Sequence, residues 1–357
     1  MAGNKTNQPV DVVFCLDLSS SSNGLIDHFR NHLWDYWYFF NQCQPKPQYR
    51  IAVVTYARFS YGKSNGYSKV QKDLGTDFEM LSNILFKIPS KIEKGDQYVG
   101  SALNTCLNKI SWSKDPDAKK IIFLVGNGDV TTGKEDLDVV LDKLISQNIS
   151  VQTIYCIAPG ERRAILGWYK IAQKSDGKNS TISLRHQNFD QLNGFNIERF
   201  RILNRKYNNT YLYYGKGGKV RRRILQDEDN HIYVTNTEGF RYRAMYKLSD
   251  SYQKKNYSWD LVELYNKNPV AIVGIDRKFL NETCRSLTDE QLKMYIIYKK
   301  YERKKIASLI SEMLQEKETK DKKENIDNTP QFSTLDILTI KRIKDILEKS
   351  GCRFVAD

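Results

Sequence analysis

The apolar positions of this chain fall into short continuous runs and longer periodic ones. Val10–Leu16, Arg50–Phe59, Lys119–Gly126 and Ser150–Ile157 are nearly unbroken apolar stretches, the pattern of strands buried on both faces. Ser68–Leu74, after a turn holding Gly62 and Gly66, reads as an edge strand, and Ser180–Leu184 as a short last one. Between the runs, apolar residues recur every three or four positions. Leu25, Phe29, Leu33, Trp37 and Phe40 form one such stripe; Asp77 to Phe86, Val99–Ile110, Leu137–Gln147 and Gly160–Ala172 carry others. These are amphipathic helices. Strand and helix alternate, and the strands are too uniformly apolar for a one-sided sheet. The expected class is α/β, a doubly wound, mostly parallel sheet. Ligands of such sheets bind beyond the strands' carboxyl ends, where the strand order reverses. The loops around Asp17, Gly95 and Asn127 open on that edge.

Beyond residue 190 the pattern becomes mainly helical. A polar stretch from His186 leads to a helix over Ile197–Lys206, and Asn209–Gly215 reads as extended. Thr288 and Gln291 form a capping box that opens a helix to Gln315, with Leu292, Ile296, Ile306, Ile310 and Met313 in its stripe. Lys317–Asn328 is charged and of low complexity, which predicts a linker. Thr334–Lys349 is a final amphipathic helix, stopped by Gly351 and expected to dock on its own chain. The predicted organisation is a sheet domain over residues 1–190, an extension packing on it over 191–315, a charged linker over 316–333 and a C-terminal helix over 334–357.

The first strand ends in Asp17-Leu18-Ser19-Ser20-Ser21. In an extended segment Asp17, Ser19 and Ser21 point the same way. One carboxylate and two hydroxyls suit a hard cation such as Mg²⁺ better than Zn²⁺. The same oxygens could instead only cap the helix that follows. This D-x-S-x-S pattern after an apolar strand resembles the metal-ion-dependent adhesion site of von Willebrand factor type A domains. The resemblance implies two further ligands, a Thr from a Gly-Gly-Thr loop and an Asp at a later strand end. Here the Thr position falls on Gln97 without a gap or on Asp96 with one. Asn127 stands where the Asp is expected, and Asp129 could substitute through a water. The implied cofactor is Mg²⁺, Mn²⁺ or Ca²⁺, and the implied partner is another protein that offers an acidic side chain.

Thr210–Gly215, Arg243–Tyr252 and Ser258–Tyr265, in this order after such a domain, are similar to a bacterial group of these proteins, whose members are usually exported. The start of the chain shows no leader, which reads as cytoplasmic unless one was removed. The longest apolar runs are about five residues, well short of the ~18 needed to span a membrane. Net charge is +14 and uneven: Lys+Arg exceed Asp+Glu by 22 to 18 in residues 1–180 and by 34 to 24 thereafter. That is compatible with an acidic protein, nucleic acid or an anionic surface as partner and specifies none of them. Arg221–Arg223, Arg241 and Arg243 interleave with aromatics, but no nucleic-acid motif accompanies them, so they read as a solvated basic face. No partner nucleic acid is expected.

Six scattered cysteines without metal spacing read as buried thiols. His28 and His32 lie one helical turn apart, and without a third ligand in sight they read as hydrogen-bonded helix residues. No nucleophile elbow, Walker loop or dinucleotide fingerprint is present, and no general base stands near Ser19–Ser21. The sequence therefore predicts a non-enzymatic, metal-dependent protein-binding module. Its alternative is a scaffold with a vestigial metal site that binds an acidic partner through the basic second half.

Overall fold

The computed structural model describes residues 9–90, 93–157, 164–183, 195–323, 334–349 and 351–354. They divide into two compact units, Met1–Asn188 with Phe332–Asp357, and Phe189–Gln331.

The first unit is built on β1 (Pro9–Asp17), β2 (Cys43–Gln44), β3 (Gln48–Tyr56), β4 (Ser68–Gly75), β5 (Lys119–Gly126), β6 (Ile149–Cys156) and β7 (Asn179–Ile182). Six of them form one sheet in the order β4-β3-β1-β5-β6-β7. All pairings are parallel except β3 with β4. The chain leaves β1 toward β3 and β4 on one side, then crosses back to β5, β6 and β7 on the other. Strand order therefore reverses at β1 and β5, and the loops after these two strands diverge around a crevice.

Helices α1 (Leu25–Asn31), α2 (Leu33–Asn41), α3 (Phe78–Lys87), α4 (Val99–Lys109), α5 (Leu137–Ser146) and α6 (Ile165–Lys174) surround the sheet. Val12, Val13, Phe14, Cys15 and Leu16 of β1 are at most 1% exposed, as a strand covered on both faces requires. The periodicity predicts one helix from Leu25 to Phe40; the structure breaks it at His32, whose ψ of 7° departs from the helix. The aromatic crowding of this region is core: Trp34, Tyr36 and Phe40 are buried, and Phe14 packs on Phe29 with centroids 4.5 Å apart. Helix α6 begins at Ile165, not Gly160, which lies outside the described residues, as does Leu184.

The second unit is helical: α7 (Ile197–Asn208), α8 (Gly218–Thr235), α9 (Thr237–Leu248), α10 (Asp250–Lys255), α11 (Leu261–Lys267), α12 (Glu282–Arg285) and α13 (Asp289–Lys323). Its interior holds ion pairs. Asp229 accepts hydrogen bonds from Arg243 Nε at 2.7 Å, Asn204 Nδ2 at 2.8 Å and Asn208 Nδ2 at 2.6 Å, and pairs with Lys247. Arg303 donates to Asp260 at 2.7 Å and Glu263 at 2.8 Å. Arg241 and Arg243 are thus not part of a solvated basic face: they are 8% and 0% exposed, because α9 turns them onto acids of its own helix and of α8. Helix α13 also continues past Gln315 into the charged stretch, where Lys and Glu are strong helix formers; residues 324–333 lie outside the described part.

Helix α14 (Thr334–Glu348) and strand β8 (Arg353–Phe354) belong to the first unit. β8 pairs antiparallel with β2, and Phe354 stacks on Phe39 with centroids 4.6 Å apart. Cys43 and Cys352 are joined by a disulfide with Cα atoms 5.8 Å apart. This corrects the reading of six reduced thiols. A separation of 309 residues hides the pair from any spacing argument. The other four cysteines are free and buried.

Candidate metal centre

β1 carries Asp17 to the sheet's edge, and Ser19 stays extended before a 3₁₀ turn over Ser20–Ser22. β5 ends next door in Gly126 and Asn127, and Gln97 comes from the loop preceding α4. Gly126 is obligatory: its φ is +153°, and a Cβ there would lie 2.3 Å from Asp17 Cβ. Gly128, with φ +97°, leaves room for the Gln97 amide, whose Oε1 would be 2.4 Å from an added Cβ.

These residues form one network. Asp17 Oδ1 accepts from Ser19 N at 2.7 Å, and Oδ2 accepts from Ser22 Oγ at 3.0 Å and Asn127 N at 3.2 Å. Ser19 and Ser21 hydroxyls are 3.0 Å apart, and Ser21 Oγ donates to Asn127 Oδ1 at 2.7 Å. At the centre stands Gln97 Nε2. Asp17 Oδ2 lies 2.7 Å from it, Ser19 Oγ 2.9 Å, Ser21 Oγ 3.2 Å and Asn127 Oδ1 2.5 Å. An amide nitrogen has two hydrogens, so four oxygens around it exceed what it can satisfy. Their convergence on one point is the geometry of a cation cradle, and its all-oxygen composition fits a hard divalent ion.

Asp17 and Asn127 are fully buried. Burial pushes the Asp17 carboxyl above its ordinary value, and the hydrogen bonds from Ser19, Gln97 and Asn127 pull it part of the way back. Asn127 uses both ends of its amide: Oδ1 faces the cradle, while Nδ2 donates to the Cys156 carbonyl at 3.2 Å. A broad open groove of about 1430 Å³ adjoins the site, and Gln97 lines it beside Tyr98, Gly128 and Thr131.

Of the seven residues the sequence singles out, the structure brings Asp17, Ser19, Ser21, Gln97 and Asn127 together. Asp96 and Asp129 stand apart and exposed. Asp96 engages the Tyr98 hydroxyl, and Asp129 turns back to accept from Thr131 N and Oγ1, both at 2.8 Å. Ser22 was missed. Its place in sequence is out of phase with Ser19 and Ser21, and only the 3₁₀ turn curls it back to Asp17.

The sequence model of the von Willebrand factor type A domain matches residues 11–196, just over half of the chain. This chain belongs to the von Willebrand factor type A family. Type A domains are typically interaction modules. Among solved structures, the type A fold here is similar to proximal thread matrix protein 1 of the mussel byssus. Identity is 20%, coverage 50% of this chain and 42% of that one, and the TM-score 0.39. A form of that mussel protein described as having a zinc-occupied MIDAS motif gives 19% identity, 49% and 42% coverage and a TM-score of 0.38. An aerotolerance-related membrane protein from Bacteroides fragilis gives 14% identity, 48% and 91% coverage and a TM-score of 0.35. This chain thus covers less than half of the mussel protein's own length. No curated protein matches it. Among the described residues, no helix is long and apolar enough to cross a membrane.

Proposed function

We propose that the type A domain captures a partner protein through a divalent cation held by Asp17, Ser19, Ser21 and Asn127. The observation that supports this reading is the set of four oxygens, from loops far apart in sequence, within 3.2 Å of one point beside an open groove. The bound ion, Mg²⁺ or Mn²⁺ by its oxygen ligands, would supply an electropositive contact for a partner's carboxylate. Asp17 brings the one formal negative charge, and the serines and Asn127 bring neutral oxygens. Gln97 holds the cradle closed with its amide nitrogen and must withdraw toward the groove for an ion to enter. The test is calorimetric titration of Mg²⁺ and Mn²⁺ into wild type, Asp17→Ala and Gln97→Ala. Binding should vanish in Asp17→Ala and tighten in Gln97→Ala. A Gln97→Ala protein that takes up neither ion at millimolar concentration would end this reading.

The Gln97 nitrogen also favours a second reading, because its two hydrogens can bond two of the cradle's oxygens directly. In that case the site is a hydrogen-bonded brace, and the excess of basic residues does the binding. Partner capture would then fall steeply with salt and ignore chelator.

A further inference from the structure

A second group of potential ligands lies away from the oxygen cradle, where the C-terminal helix meets α1 and α2. His28 Nε2 is 3.1 Å from Asp336 Oδ2, and His32 Nδ1 is 3.2 Å from the same oxygen. Ligand atoms of the three residues all lie within 4.8 Å of one another. Around a tetrahedral Zn²⁺ with bonds of about 2.0–2.1 Å, neighbouring ligand atoms are about 3.3 Å apart. The two separations are close to that edge. The histidine rings are stacked, with centroids 4.5 Å apart, and each has a nitrogen within 3.2 Å of the one carboxylate.

The surroundings are those of a supported site. Tyr36 Oη donates to Asp336 Oδ1 at 2.7 Å, which leaves Oδ2 for the histidine side. Asp35 Oδ2 lies 2.6 Å from His32 Nδ1, a second buried carboxylate against the same imidazole. The Tyr36 hydroxyl is an outer contact of the kind that orients a ligating carboxylate, whereas Asp35 shares the His32 nitrogen that would ligate, so an ion there takes the place of the proton between them. A divalent ion here would set two positive charges against two buried carboxylates. Two imidazole nitrogens and one oxygen suit Zn²⁺ or Co²⁺, whereas the cradle's oxygens suit Mg²⁺. Asp336 also lies outside the stretch that matches the type A family.

We propose that His28, His32 and Asp336 form a second metal site, for Zn²⁺ or a similar borderline ion, which pins α14 to the first two helices of the type A domain. Loading it expels any proton on the histidines, since ligating imidazoles are neutral. The site is independent of the oxygen cradle, and the experiment separates the two. Full-length protein, stripped with chelator, is titrated with Co²⁺ while visible absorption is recorded, and Zn²⁺ is then added in competition. We expect the visible bands of a four-coordinate, nitrogen-containing site, saturating at one Co²⁺ per chain and displaced by Zn²⁺, and distinct from those of a six-coordinate ion in the all-oxygen cradle. Asp17→Ala should bind as wild type does, and His28→Gln and Asp336→Asn should each bind at least about tenfold more weakly. Circular dichroism checks folding; should Asp336→Asn not fold, His28→Gln decides, because His28 keeps 15% side-chain exposure and is the least constrained ligand. No visible band, unchanged affinity in His28→Gln, or binding lost in Asp17→Ala would each overturn the proposal.

Discussion

Asn127 shows how one atom can set the character of a site. Its Nδ2 faces the Cys156 carbonyl, so a carboxylate in its place would set oxygen against oxygen in a buried spot. Asn127→Asp should therefore lower stability by about 1–3 kcal/mol in chelator and recover part of that loss with millimolar Mg²⁺, as thermal melts would show. Gly126→Ala should cost more, on the order of 3 kcal/mol or outright failure to fold, because the added Cβ meets Asp17 at 2.3 Å in a left-handed backbone. Denaturant unfolding measures it. At this scale the sequence is readable where chemistry is local. Asp17 and Ser19 follow from strand alternation, since the backbone stays extended to Ser19, and Ser21 joins them through the 3₁₀ turn. Whether Gln97 or its neighbour Asp96 turns inward depends on the turn in which Tyr98 N bonds to the Asp96 carbonyl, which no count along the chain foretells. Asp336 sits 300 residues from Tyr36, and nothing near it marks it as a partner for two histidines.

Among elements, the sheet is the legible part. Its central strands β1, β3, β5 and β6 are apolar on both faces, so their parallel pairing follows from the hydrophobic pattern, whereas the edge strands β4 and β7 are mixed and β4 pairs antiparallel. The helix from Leu25 is legible as a stripe but not as two pieces, since the break falls at His32, whose imidazole is held by acids of α2 and α14. Buried charge is similarly illegible: Arg243 looks solvated until α8 brings Glu228 and Asp229 against it. The closing of β8 on β2 depends on the disulfide as well as on two residue pairs. Cys352→Ser should lower the stability of the first unit by about 2–4 kcal/mol. Reductant should produce the same loss in wild type and none in the variant, as read by denaturant unfolding.

For the whole molecule, the two units differ in how they are held. The first rests on an apolar sheet core; the second has an apolar cluster around Leu261, Val262 and Ile296 and adds ion pairs sunk among its helices. Burial alone would raise the Asp229 carboxyl, but Lys247 and Arg243 hold it at about 2. An unfolded Asp takes up its proton near pH 4. The contribution of Asp229 is thus complete at neutral pH and is lost as pH falls from about 4 to about 2, on the order of 2 kcal/mol. Unfolding midpoints of full-length protein from pH 6 to pH 2 should show this loss, and Asp229→Asn should be weaker at pH 7 yet flatter over the same window.

The disulfide that returns the chain to its own beginning has a mechanical consequence. Tension applied at residues 9 and 354 runs through the neighbourhood of β1, reaches Cys43 and passes directly across to Cys352. The 309-residue span it bypasses corresponds to about 1,000 Å of extended chain, and the entire helical unit lies within that slack. Stretching in an optical trap should therefore spare the helices while the bridge is intact, and reductant should release the hidden length.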